Sequence, residues 1–108
     1  LVATGFAYDS TTRGEQGRLV ADLLPLVRDI RRLGTASLDL CFVASGRTNA
    51  YFERTLSPWD HAAGALIARE AGATVKGLGD AQPSRDLILA GHPDVAAALE
   101  GALAQLAR

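Results

Sequence analysis

Two carboxylates, Glu53 and Asp60, and a Gly34-Thr35-Ala36 turn are the residues of this chain whose types and spacing could do chemistry. Asp60 lies in Ser57-Pro58-Trp59-Asp60-His61-Ala62-Ala63-Gly64, three residues after Ser57. A Ser cap, a Pro at the first helical position and a carboxylate at the third form a helix-start signature, in which the carboxylate can close a capping box. The helix dipole favours an acid there by about 0.3–1 kcal/mol. The spacing therefore puts Asp60 at the mouth of a helix that Gly72 ends as a left-handed cap. On spacing alone two readings stay open, a capped buried helix or an acidic metal or catalytic site. Glu53 is either a solvated acid at a strand end or an acceptor for ligand hydroxyls, since charge-assisted bonds are the strong ones. Gly34-Thr35-Ala36 is either a plain cap, with Thr35 as capping residue, or a helix start whose free N–H groups meet a polar ligand.

The elements that must hold these residues alternate along the chain. Leu1 to Gly5 reads as a buried strand. Thr12 with Glu15 signals a helix start, and Leu19, Val20, Leu23 and Leu24 recur at helical spacing until Pro25 ends or kinks the run. Thr35 opens a second helix closed by Gly46, and Ala50 to Glu53 is a strand. In the signature helix, Pro58 to Ala71, the small residues Ala62 to Ala65 allow close backbone approach. Leu66 and Ile67 are expected to fill the core, with Trp59 as an apolar anchor that aims Asp60. Thr74 to Lys76 and the wholly apolar Leu87 to Ala90 are strands, the second of the fully buried type. His92-Pro93 opens a last helix with Val95, Leu99, Leu103 and Leu106 in one stripe. The fold class is α/β, a layered sheet covered by helices, in one domain over 1–108.

Three blocks of the chain resemble the inositol monophosphatase family of magnesium-dependent phosphatases, in order and at matching spacing. Trp59-Asp60-His61-Ala62-Ala63-Gly64 with Glu70-Ala71-Gly72 is similar to the family's C-terminal signature. The stretch from Arg31 to Cys41 resembles its Arg-x-x-Gly-[Ser/Thr]-Ala-Ala segment. Val43 to Glu53 resembles Val-Ala-x-Gly-x-x-Asp-Ala-Tyr-x-Glu, with Asn49 where the family usually has Asp. The resemblance implies that Asp60 is a ligand to Mg2+, that Glu53 reads polyol hydroxyls, and that the Gly34-Thr35-Ala36 backbone lines the substrate pocket. The family's other signature, Asp-Pro-x-Asp-Gly-Thr, is not in this sequence. The chain is therefore expected to be a C-terminal half whose N-terminal half supplies the remaining ligands and the catalytic base. Alone it should be inactive and prone to associate, and the whole protein is expected to be a homodimer. An inositol monophosphate is the expected substrate. Histidinol phosphate or another family substrate, or a non-catalytic protein-interaction role, are the alternatives.

Composition narrows the rest. The 108 residues carry a formal charge of −1 and are 48% apolar, which gives no electrostatic case for nucleic acid or membrane surfaces. A cytoplasmic setting is the default. The single Cys41 reads as an inert core thiol. His61 and His92 read as structural or cap residues, and Arg31 and Arg32 as ion-pair or subunit-contact residues.

Overall fold

A computed structural model of the chain describes residues 1–106. Strand β1 is Val2–Thr4, α1 Ser10–Leu23, β2 Ile30–Arg31, α2 Ala36–Ala44, β3 Ala50–Glu53, α3 Pro58–Glu70, β4 Thr74–Lys76, β5 Ile88–Gly91 and α4 Pro93–Leu106. The strands form one mixed sheet in the order β2-β1-β3-β5-β4. β1 runs parallel to β2 and β3, while β5 is antiparallel to β3 and β4.

The path β1-α1-β2 crosses the sheet one way and β2-α2-β3 returns the other way. Right-handed crossovers then call for α1 and α2 on opposite faces, and the two cores have that arrangement. Val2, Phe52 and Leu89 pack with Leu23 of α1 and with Leu99 and Leu103 of α4. Ala3, Tyr51, Ile88 and Ala90 point the other way, onto Leu40 and Val43 of α2 and Ala65 and Ala68 of α3. Burying a Leu of this kind contributes roughly 1.5–3 kcal/mol. β5 is buried along its whole length, as its unbroken apolar run requires.

Local signals explain most boundaries. Pro25 turns the end of α1 into a 3₁₀ turn over Leu24–Leu26. Gly46 and Gly72 follow α2 and α3 with φ of 78° and 93°, a region where a Cβ is penalised. At the start of α1 the structure corrects the sequence reading. The helix begins earlier than Thr12, and its cap is Asp9, whose Oδ2 accepts from the backbone and hydroxyl of Thr12, both at 2.9 Å.

Helix α3 differs more. Its buried residues are His61, Gly64, Ala65 and Ala68, so its small side chains face the sheet. Leu66 and Ile67 are 59% and 48% exposed, and Trp59 is 82% exposed. None of the three fills the core as the sequence suggested. The helix turns this way because α2 and α3 press together at Gly64, where a Cβ would lie 2.8 Å from Leu40 Cβ and Cδ1. A large residue on that face would force the helices apart.

Candidate functional site

Asp60 stands in the first turn of α3 because Ser57 and Pro58 start the helix there. Its Oδ2 accepts from Ser57 N at 2.9 Å. This backbone bond fixes the carboxylate, a role the sequence reading gave to Trp59. Oδ1 has no hydrogen-bond partner among the described residues, and Asp60 is exposed.

Glu53 ends β3, where the chain leaves the sheet. Its Oε1 accepts from Tyr51 Oη at 2.6 Å. The carboxyl also crowds Gly5: a Cβ there would lie 2.3 Å from Oε1, so only glycine leaves room at the end of β1. Burial raises the Glu53 pKa, with Asp60 adding to the rise, while the Tyr51 bond and Arg32 oppose it. Burial first, and then the Glu53 charge, likewise push the Tyr51 phenol upward.

The third piece is the entry to α2. Gly34 has φ of 89°, which suits glycine, and a Cβ there would also meet Arg32 Nη1 at 2.7 Å. Thr35 occupies the cap position in extended geometry without a side-chain cap bond; its hydroxyl lies 3.3 Å from that of Ser37. The first-turn N–H groups of α2 are thus left to other acceptors.

Gly34, Thr35, Ala36, Glu53 and Asp60 all line one open cavity of about 420 Å³. Three segments separated in sequence meet there, at the carboxyl end of β1 and β3.

Several residues of this region were not singled out from the sequence. Phe6 and Tyr8 form part of the wall; Arg32, read from the sequence as an ion-pair or subunit-contact residue, joins them with its guanidinium carbon 5.9 Å from the Phe6 ring centre. Arg32 thus faces the cavity, while Arg31 pairs with Asp29 at 2.8 Å on the surface. Thr55, also on the wall, has φ of 70°, a strained value for a β-branched residue. Asp39 of α2 is only 1% exposed, and neither of its oxygens has a partner. Burial raises its pKa to about 7, the nearby Glu53 charge adds to this, and Arg32 opposes it. A charged residue inside the apolar run Leu38-Asp39-Leu40-Cys41 was the signal for it.

Other expectations have plain outcomes. His61 is buried with neither ring nitrogen bonded, and it does not line the cavity. The carbonyl of exposed His92 accepts from Ala96 N at 2.8 Å, at the start of α4. Cys41 is free and half-buried.

A hard divalent cation takes about six oxygen ligands. Among the described residues no group of three His, Cys, Asp or Glu side chains gathers to hold one. The single open oxygen of Asp60 suits one coordination position. These residues fit a metal as a contributor and do not form a site alone. Among the described residues no helix is long and apolar enough to cross a membrane.

The fold and cavity define a layered α/β protein with an open pocket at one end of its sheet, lined by Glu53, Asp60 and Arg32. Residues 1–108 match the pattern of the inositol monophosphatase family, and the chain belongs to that family. It is 48% identical to an inositol-1-monophosphatase of Mycobacterium leprae over 95% of this chain and 36% of that protein. It is 45% identical to a Vibrio cholerae protein named Nus factor SuhB, over 69% of this chain and 28% of that one. The solved structure of Mycobacterium tuberculosis SuhB superposes with a TM-score of 0.85 at 47% identity, covering 97% of this chain and 41% of that one. The chain thus spans well under half the length of these relatives.

Proposed function

We propose that the full-length protein hydrolyses a small phosphate monoester, inositol monophosphate first among candidates, with Mg2+. In this reading Asp60 is one metal ligand, held by Ser57 N with Oδ1 free. Glu53 accepts hydrogen bonds from vicinal hydroxyls of the polyol, and the Gly34-Thr35-Ala36 backbone lines the same pocket. The bound Mg2+ would offset negative charge on the phosphate. The remaining ligands and the catalytic base come from the rest of the protein, so this stretch alone is inactive. A homodimer and a cytoplasmic setting belong to the same proposal. The observation that carries it is the meeting of Gly34, Thr35, Ala36, Glu53 and Asp60 around one cavity of about 420 Å³.

Glu53 must be ionised to accept from hydroxyls, and burial raises its pKa. Substrate binding should therefore weaken on the acid side at a higher pH than an ordinary carboxylate would set. The test is phosphate release by the full-length protein, with and without Mg2+, across inositol, histidinol and sugar phosphates. Mg2+-dependent release fastest on an inositol monophosphate is expected. No release from any of them would remove the enzymatic reading.

A second reading is a protein-interaction role, favoured by the relative named Nus factor SuhB and by the exposed Trp59, Leu66 and Ile67. Affinity capture with an Asp60→Asn full-length variant separates the two. Retained partners with lost turnover would show a scaffold role independent of chemistry.

A further inference from the structure

Tyr51 and Glu53 stand two residues apart on β3, so their side chains leave the same face of the sheet. That face is the one covered by α2 and α3, where Tyr51 packs with Leu40, Ala65 and Ala68. Phe52, between them, packs on the α1/α4 face. Tyr51 is 0% exposed, and its phenol makes one hydrogen bond among the described residues, from Oη to Glu53 Oε1 at 2.6 Å.

A carboxylate at this place has two ways to turn. Glu53 is the last residue of its strand. It borders the cavity beside Asp60 and also a second cavity of about 520 Å³, walled by Leu19 of α1 and Leu103 of α4. Arg54 lines that second cavity and would offer a released carboxylate a cationic partner there. Two contacts oppose that turn. The Tyr51 phenol holds Oε1 from the α2/α3 face, and a phenol-to-carboxylate bond of this length is charge-assisted and strong. Gly5 leaves the space in which the carboxyl lies, since a Cβ there would come within 2.3 Å of Oε1 and 2.8 Å of Oε2. Glu53 Oε2 has no hydrogen-bond partner among the described residues. It is the oxygen left for a ligand.

We propose that Tyr51 is a positioning residue, whose hydroxyl keeps the Glu53 carboxylate on the α2/α3 side of the sheet so that Oε2 meets the substrate's hydroxyls. The inference rests on Glu53 reading the polyol, as proposed above, and adds the group that aims it. Tyr51 touches neither phosphate nor metal in this account, so it acts on substrate binding through Glu53 alone.

The test is a double-mutant cycle in the full-length protein, with Mg2+ and myo-inositol 1-phosphate as substrate. Tyr51→Phe removes only the hydroxyl and keeps the ring in the core. It should raise KM by about fivefold or more while kcat changes less than about twofold, the pattern of lost binding without lost chemistry. Glu53→Ala should raise KM at least as far. In the Glu53→Ala background, Tyr51→Phe should add less than about a twofold further change, because residues that act through one another are not additive. Gly5→Ala reaches the same carboxyl from β1 without touching Tyr51, and it should raise KM as well. A parental KM in Tyr51→Phe, with Glu53→Ala impaired, overturns the role of Tyr51 and leaves that of Glu53 standing. An equal rise in KM with and without Glu53 also overturns it, since Tyr51 would then act through packing. A parental KM in Glu53→Ala, or no phosphate release by the parent, removes the reading of the site and this inference with it.

Discussion

The two faces of the sheet bury side chains by different rules. On the α1/α4 face, Leu23, Leu89, Leu99 and Leu103 pack as an apolar core. The α2/α3 face encloses Asp39 and His61 without hydrogen-bond partners. Its rim carries Thr55 at a strained φ and Trp59 exposed to water. Unpaired buried groups and strained backbone are costs that a chain optimised only for stability would shed. Asp39, whose charge couples to Glu53, and Thr55, on the cavity wall, set two of these costs beside the candidate site, while the unpaired Thr48 Oγ1 lies before the other end of β3.

The largest expected effect on this contrast is chemical. Asp60→Asn keeps an acceptor for Ser57 N and removes the charge. In the full-length protein it should lower phosphate release by about 10²–10³-fold with little change in unfolding midpoint. Loss of fold in place of loss of rate would make Asp60 a structural residue.

Next come two helix-interior glycines on opposite faces. Gly64→Ala drives a Cβ into Leu40 and should destabilise by about 1–3 kcal/mol. Gly101→Ala meets open space and should stabilise by about 0.5–1 kcal/mol. Urea unfolding of both variants checks the pair, and equal signs would break the comparison.

Asp39 gives a pH-dependent effect of similar size. Its carboxyl titrates near 4 when unfolded and at about 7 when folded, so the native state holds the proton more tightly. Any stability from this group is complete below about pH 4 and is lost as pH rises toward 7. Asp39→Asn should therefore stabilise by about 2 kcal/mol at pH 8 and change little at pH 4, read by urea unfolding at both values. A small effect of the same order as that of Gly101→Ala is expected for Thr55→Gly, which removes the Cβ from a positive φ and should stabilise by about 1 kcal/mol in urea unfolding.

Much of this was legible in the sequence. The capping pattern of Ser57, Pro58 and Asp60, the unbroken apolar β5 and the stripe on α4 each correspond to an element with nearly the expected bounds. Helix phase was harder to read in α3. Its middle, Ala62 to Ala68, is small or apolar all round, so periodicity gives no inward direction there, and the α2 contact at Gly64 decides it. The α1 cap was ambiguous because Asp9, Ser10, Thr11 and Thr12 are all competent caps, and Asp9 alone has the carboxylate reach to Thr12. Arg32, Phe6 and Tyr8 belong to the cavity only through strand pairing, which no local pattern encodes. The strained φ of Thr55 has no residue-type signal, since Gly or Asn would be expected there.

Everything functional rests on Asp60 Oδ1 pointing into a cation site shared with the rest of the protein. A crystal structure of the full-length protein with Mg2+ and an inositol monophosphate tests this directly. The account expects the ion about 2.1 Å from Asp60 Oδ1, with Glu53 in hydrogen-bond contact with the polyol hydroxyls. Metal and phosphate bound away from Asp60, with the cavity beside Gly34 and Glu53 left to water, would contradict it.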